Sequence, residues 1–190
     1  RTRHMCRQFS LLGHSVDVVV PRYDPLTSEK NTSVSLSNSR IKKITLFSFI
    51  NNRSFILTRL VYMASYAVSS FFYLVRSVKR YDCVVLNTMP PLTYVLCGLY
   101  MAIFKKAYIC DVRDMPFHNI IDIYNRYSIL LPLFNLALKV HNYIIKRSIM
   151  VIAVTQGMAN ETLKYNDRTY VIPLGSDYET TRIVGRVKND

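Results

Sequence analysis

The chain has 190 residues, of which half are hydrophobic and 19% are charged. This composition excludes global disorder and gives enough length for one domain with its own core. The formal net charge of +13 is uneven, because nine lysines and arginines and no acidic residue occur between positions 30 and 81. Such a field favours an anionic partner (nucleic acid, an acidic membrane surface or a phosphorylated substrate), although a solvated basic surface would carry the same charge.

The four cysteines are scattered through the chain without a C-x-x-C pair. Three of them lie in apolar runs, where we expect a reduced and buried thiol. The pattern predicts a reducing compartment and gives no support to a zinc site.

The first predicted unit is a helix followed by a strand. Met5, Phe9 and Leu12 share one helical face, and Gly13 follows as a C-cap. The valine-rich run at residues 16–20 then predicts a strand. Because no strand precedes the helix, we expect the natural protein to have a first strand and a glycine-bearing loop upstream, and the chain to be a fragment at both ends.

The remaining segments continue to alternate between strand and helix. In chain order they are a polar loop at residues 21–40, a strand at 41–49, a long helix at 54–80, a strand at 83–86, a helix at 94–104 that starts from two prolines, a strand at 107–112, a helix at 127–147, a strand at 149–154, a helix at 158–165 and a strand at 169–172. This alternation predicts an α/β fold, in which a Rossmann-like and mainly parallel sheet carries helices on both faces.

Two uncharged runs could be mistaken for membrane spans. Residues 60–75 form a run of 16, which is short of the roughly 20 residues that cross a bilayer. Residues 83–104 form a run of 22, but Asn87 and the Pro90–Pro91 pair divide it into strand, turn and helix. We expect neither run to span a membrane.

The predicted helix at residues 54–80 differs from an ordinary helix of such a fold. It has little polar outer surface besides serine and threonine, and its aromatic body lies between basic ends. This pattern favours insertion into an anionic membrane interface, although another part of the complete protein could cover the helix instead. The predicted membrane-contact residues are Arg59, Phe71, Phe72, Arg76, Lys79 and Arg80.

Polar residues follow several predicted strands at their carboxyl ends, where α/β proteins bind ligands. Arg113 and Asp114 directly follow one strand, and His118 lies four residues beyond Asp114. These groups could orient hydroxyls or accept a proton, or Asp114 could only cap the loop and pair with Arg113. Thr88 could contact a hydroxyl or phosphate or simply begin a helix, and Thr155 faces the same crevice by topology.

Three of these segments also resemble a known family. They read V-R-D at 112–114, A-V-T-Q-G-M at 153–158 and V-I-P-L-G-S-D at 171–177. They resemble the "E-V-R-D", "A-V-T-x-G-M" and "V-I-P-N-G-V-D" segments in the N-terminal, acceptor-side domain of a family-4-like glycosyltransferase with the GT-B fold. Leu174 stands where that family commonly has Asn, while Gly175 and Asp177 match.

The resemblance implies a domain at residues 1–173 that lacks its first strand and the start of an interdomain connector at 174–190. Asp114 would be catalytic, while Arg113, Thr88, Thr155 and Gly175 would bind substrate. The family's segment does not match His118, whose predicted role in substrate binding depends on its position alone. The co-substrate would be a nucleotide-sugar, held mostly by a C-terminal domain through an E-x7-E-type motif that this chain lacks. The family typically needs no metal and commonly retains the anomeric configuration, and we expect the isolated chain to be inactive.

The sequence therefore predicts half of a glycosyltransferase that serves polysaccharide or glycan biosynthesis. The basic aromatic helix favours a lipid-linked acceptor and a peripheral position on the cytoplasmic face of the cell membrane. A non-catalytic membrane-binding subunit of a two-chain transferase is a second interpretation. A nucleic-acid binder is the weakest, because the aromatic residues lie in long apolar helices rather than on an alternating strand platform. Dinucleotide and P-loop motifs are absent from the sequence.

Overall fold

A computed structural model of the chain describes residues 2–24, 27–31, 40–50, 56–115 and 131–173. Helices and strands alternate through these ranges, which confirms the predicted α/β class. The elements are α1 (Thr2–Leu11), β1 (Val16–Pro21), β2 (Ile41–Leu46), α2 (Ile56–Ser77) with a 3-10 turn (Val78–Arg80), β3 (Val84–Asn87), α3 (Pro91–Ile103), β4 (Tyr108–Val112), α4 (Leu131–Arg147), β5 (Met150–Ala153), α5 (Gln156–Leu163) and β6 (Thr169–Val171).

Within the described ranges, all paired strands run parallel and form two sheets. The strands β1 and β2 form one sheet, and the other has the order β3-β4-β5-β6. In the larger sheet Asn87 is level with Asp111, and Val112 is level with Ala153. Parallel strands in sequential order require crossover connections, so the carboxyl ends of β3, β4 and β5 meet at one edge of the sheet.

The core lies between the larger sheet and the helices α3 and α4. The strand β4 reads Y-I-C-D-V and is buried along nearly its whole length, as is the apolar strand β5. The Tyr108 hydroxyl donates to the backbone oxygen of Ile144 in α4 at 2.6 Å, so the polar end of a buried ring is satisfied inside the core. Strands covered on both faces in this way are apolar throughout rather than alternating.

Two glycines have specific steric roles. Gly13 ends the first helical segment with a φ of +95°, a backbone conformation that side chains disfavour. In α3, a Cβ on Gly98 would lie 2.9 Å from two carbons of Ile144 in α4. The missing side chain therefore allows α3 and α4 to pack closely.

The fully buried residues of the first helix lie beside the face that carries Met5 and Phe9, which are half-buried. The buried residues are Cys6 and Ser10, whereas Leu12 lies beyond the helix and is 74% exposed. Cys6 and Ser10 are four positions apart and lie on one face. The small side chains permit close approach of the helix, while the larger apolar residues lie partly or wholly outside the contact.

The second strand is also shorter than predicted. It ends at Leu46, and beyond it the alternation is inverted, with Ser48 buried and Phe47 and Phe49 exposed. The Ser48 hydroxyl accepts the backbone N–H of Tyr23 at 3.3 Å, which explains its inward position. Phe47 and Phe49 instead pack edge to face at 5.1 Å on the surface.

The long predicted helix at residues 54–80 is α2 followed by a tight 3-10 turn, with residues 54–55 outside the described ranges. Among the helices of the described ranges, none combines the length and hydrophobicity that a membrane crossing requires. Of the three cysteines in apolar runs, Cys97 and Cys110 are buried as expected, but Cys83 is exposed; Cys6, outside such a run, is buried.

Candidate functional site

The candidate site lies at the carboxyl edge of the larger sheet, where Thr88 links two strand ends. Its backbone N–H donates to the Asp111 carbonyl at 3.2 Å, and its hydroxyl oxygen accepts the Arg113 backbone N–H at 3.2 Å. Thr88 is 0% exposed. The structure thus places its hydroxyl inside the protein, where it holds the loop that carries Arg113.

The Arg113 side chain is held from two directions. Its Nε donates to Asp111 Oδ2 at 2.7 Å, and its Nη2 donates to Thr2 Oγ1 at 2.6 Å. The Asp111 side chain is 1% exposed, whereas 26% of the Arg113 side chain reaches solvent. The guanidinium is therefore anchored in the protein and open on one side.

Asp114 follows Arg113 in the same loop and is partly buried. Its Oδ1 accepts the backbone N–H of Met115 at 2.8 Å, which is the loop-capping contact that the sequence allowed. The ion pair of Arg113 is made with Asp111. The contact with Met115 orients the Asp114 carboxylate within the loop.

Thr155 lies at the end of the neighbouring strand. It is the N-cap of α5, and its hydroxyl accepts the Met158 backbone N–H at 3.3 Å. Because Val112 is level with Ala153, Thr155 and Asp114 each lie two residues beyond paired positions. The strand pairing therefore places Thr155 and Asp114 at the same part of the carboxyl edge of the sheet. The other two predicted substrate-binding residues, His118 and Gly175, lie outside the described ranges.

The sequence interpretation missed the roles of Asp111 and Thr2. Asp111 had a usable signal, because an acidic residue inside an otherwise apolar buried strand requires a partner. Thr2 had none, since it lies 111 positions from Arg113 and meets it only in the folded chain. Cys6 lies one turn further along α1. Burial raises the pKa of its thiol above the ordinary value, and a backbone hydrogen bond and the Arg113 charge oppose this only in part.

A second surface lies on α2, away from the strand ends. Its exposed face is largely apolar, and of the predicted membrane-contact residues Arg59, Phe72, Arg76, Lys79 and Arg80 are exposed. The Arg76 guanidinium lies 5.9 Å from the centre of the Phe72 ring. Phe71 instead packs edge to face on Tyr100 of α3 at 5.8 Å and is half-buried. We call the exposed face of α2 the basic-apolar face; its large apolar members are Leu57, Leu60, Val61, Val68, Phe72 and Val75.

Comparison with known proteins supports the fold. The profile of one protein family, described as Glycosyltransferase Family 4, matches residues 1–180 and so spans the site and every described element. No curated protein was found to match the chain. The family match covers far more than half of the chain and agrees with its parallel α/β architecture. The chain belongs to Glycosyltransferase Family 4.

Proposed function

We propose that this domain provides the acceptor side of a transferase that moves a sugar from a nucleotide-sugar to a lipid-linked acceptor. Arg113 and Asp114, in one anchored loop at the carboxyl end of β4, carry the proposal. Ligands of open parallel sheets bind outside this end of the strands. The arginine supplies a fixed positive charge and the aspartate an acceptor for a hydroxyl proton.

The proposed reaction gives Asp114 a defined task. The acceptor hydroxyl forms a bond to the anomeric carbon of the donor sugar on the face from which the phosphate oxygen departs, as retention in a single displacement requires, while the bond from that carbon to the phosphate oxygen breaks. The nucleoside diphosphate leaves with the electron pair, and Asp114 orients the attacking hydroxyl and accepts its proton. Arg113 holds an anionic part of a substrate, and Thr155, exposed at the neighbouring strand end, contacts substrate hydroxyls. The resemblance to the family favours retention of the anomeric configuration and a site without a metal.

The basic-apolar face of α2 supports the lipid-linked acceptor. It combines exposed apolar side chains with the exposed cation Arg76, and the exposed cation Lys79 follows in the 3-10 turn. Apolar side chains enter the headgroup region, and each basic residue near an anionic surface adds about 1 kcal/mol of attraction. We propose that this face holds the domain peripherally on the anionic, cytoplasmic side of the cell membrane and brings the acceptor to the strand ends.

Sugar transfer is tested with the native protein, radiolabelled nucleotide-sugars and membranes that supply the acceptor. We expect label in the lipid extract, and Asp114→Asn should lower its rate by about 10²–10⁴-fold, the range for loss of a positioned proton acceptor. Asp167→Asn, a neutralisation of the same size in the turn after α5, is the matched control and should keep its activity. Full activity of Asp114→Asn would show that Asp114 does not accept the proton of the acceptor hydroxyl.

The same experiment separates the enzyme from a non-catalytic membrane-binding subunit. The exposed basic-apolar face favours this second interpretation as well, because membrane binding does not require the Arg113–Asp114 loop. A protein that binds vesicles but transfers no sugar from any nucleotide-sugar tested would support the subunit. We further propose that the 190-residue chain alone transfers no sugar, since it has no E-x7-E-type donor motif; transfer by the purified chain would contradict this.

A further inference from the structure

Asp111 places a carboxylate where an apolar side chain would be expected. It is the fourth residue of β4, its side chain is 1% exposed, and the residues on either side of it, Cys110 and Val112, are completely buried. A carboxylate in such surroundings is costly unless it is paired and hydrogen-bonded. Its 2.7 Å contact with Arg113 Nε supplies a pairing of this kind.

The contacts of Arg113 fix both its backbone and its side chain. Thr88, after β3, accepts the backbone N–H, Asp111 in β4 accepts from Nε, and Thr2 in α1 accepts from Nη2. Three separate elements therefore determine where the guanidinium lies. An arginine ordered in advance loses less entropy when it binds a ligand than a freely moving surface arginine does.

The N–H groups of Arg113 that the contacts with Asp111 and Thr2 do not use suit a phosphate group. A guanidinium has five N–H donors in a planar fork, and the contacts with Asp111 and Thr2 use two of them. The fork matches phosphate oxygens in pairs, which a lysine cannot do. Since 26% of the side chain is exposed at the carboxyl edge of the sheet, a ligand bound at that edge can reach it.

We infer that Asp111 is a positioning residue, whose buried carboxylate holds Arg113 in the orientation that receives a phosphate group of the substrate. The inference rests on the proposed function and deepens it. Both proposed substrates carry the required group, as the diphosphate of the nucleotide-sugar or as the phosphate of the lipid-linked acceptor.

Replacing Asp111 by Asn distinguishes positioning from simple charge balance, because the two predict opposite signs. If Asp111 only neutralised Arg113, its removal would raise the positive potential at the edge and tighten phosphate binding. If Asp111 positions Arg113, Asp111→Asn should weaken binding by about tenfold, the loss that one charge-assisted hydrogen bond produces. Asp111→Glu keeps the carboxylate and should restore part of the affinity.

The measurement is a titration of the chain, labelled with 15N-arginine, with inorganic pyrophosphate while the Nε–Hε signals are followed by NMR. We expect the Arg113 signal to shift on binding and to be the one most affected. UDP and geranyl phosphate, titrated separately, show whether the donor or the lipid-linked acceptor supplies the phosphate. The matched control is Arg7→Ala, which removes an exposed arginine from α1 and should leave pyrophosphate affinity unchanged.

Each outcome decides the inference. Unchanged or tighter pyrophosphate binding by folded Asp111→Asn overturns it, as does an Arg113 signal that does not respond in the wild type.

If Asp111→Asn does not fold, Thr2→Val takes its place, because it removes the second anchor at similar volume. This variant should bind about threefold more weakly, and unchanged binding overturns the inference. Phosphate binding at Arg113 without sugar transfer by the native protein would contradict the proposed function alone.

Discussion

Tyr81 donates a hydrogen bond from its phenol to Asp17 Oδ2 at 2.7 Å, which connects the chain just before β3 to the strand β1 of the other sheet. The Tyr73 hydroxyl lies 2.6 Å from the same phenol oxygen, so α2 joins the contact. Burial is the largest cause that raises the pKa of Tyr81 well above its ordinary value, and these two hydrogen bonds raise it further. The pair is thus a point at which the two sheets and α2 are held together.

We expect Tyr81→Phe to lower the free energy of unfolding by about 1 kcal/mol, since it leaves Asp17 and Tyr73 without the shared phenol. Urea unfolding followed by circular dichroism measures the change. Tyr165→Phe, at an exposed tyrosine after α5, is the matched control and should change little. Equal stability of the two variants would show that the link between the sheets contributes nothing.

A second prediction compares two helical glycines, one with close neighbouring atoms at the position of a Cβ and one without. Gly98→Ala should destabilise the protein by about 1–2 kcal/mol, because the strain of a Cβ placed 2.9 Å from Ile144 exceeds the gain in helix propensity. Gly157→Ala in α5 is the control, since its Cβ would meet nothing closer than the Thr155 hydroxyl at 4.0 Å. That variant should be neutral or more stable.

Thermal unfolding of both glycine variants gives the comparison. Gly98→Ala with Ile144→Val should recover part of the loss, because valine lacks the Cδ1 atom that lies 2.9 Å from the added Cβ. Stabilisation by Gly98→Ala alone would mean that α3 and α4 separate at little cost.

The buried tyrosines predict loss of stability in alkali. Burial raises the pKa of Tyr66 to about 12, compared with about 10 in an unfolded chain. The stabilisation of the folded state that goes with this raised pKa is therefore complete below pH 10. It is lost as the pH rises from 10 to 12, because the phenol loses its proton at a lower pH in the unfolded state than in the folded state. Urea unfolding at pH 8, 10 and 11 should show this decline, and Tyr66→Phe should make it shallower. An identical slope in the variant would contradict the assignment to Tyr66.

The basic-apolar face of α2 gives a prediction for vesicle flotation. The chain should float with vesicles that contain an anionic lipid and remain in the soluble fraction with neutral ones. Arg76→Glu with Lys79→Glu should lower binding by at least tenfold, since each cation near the surface contributes about 1 kcal/mol. Phe72→Ser should weaken binding without loss of stability, because this side chain is 53% exposed.

Two controls make the flotation result specific. Lys146→Glu with Lys139→Glu makes the same charge change on α4 and should retain most of the binding. Raising the salt concentration should weaken the wild type and leave little difference between it and the α2 variant. Equal binding to neutral and anionic vesicles would remove the support for a lipid-linked acceptor.

The sequence alone was sufficient for the alternation of strands and helices and for placing Arg113, Asp114 and Thr155 at strand ends. These features are local: hydrophobic periodicity distinguishes helix from strand, and a loop residue follows its strand whatever else the chain does. The boundaries were less secure, as at Leu46, where β2 ends although the alternation continues in inverted form.

Only the tertiary structure decided which partners and faces these residues have. The sequence left open whether Arg113 pairs with Asp114, and the fold pairs it with Asp111 and with the distant Thr2. The helix α2 is apolar almost all round, so its sequence could not separate Phe71, which packs on Tyr100, from Phe72, which is exposed. The physical reason is the same in both cases: hydrophobic attraction is non-directional, and a long side chain has several possible partners until packing brings one of them within reach.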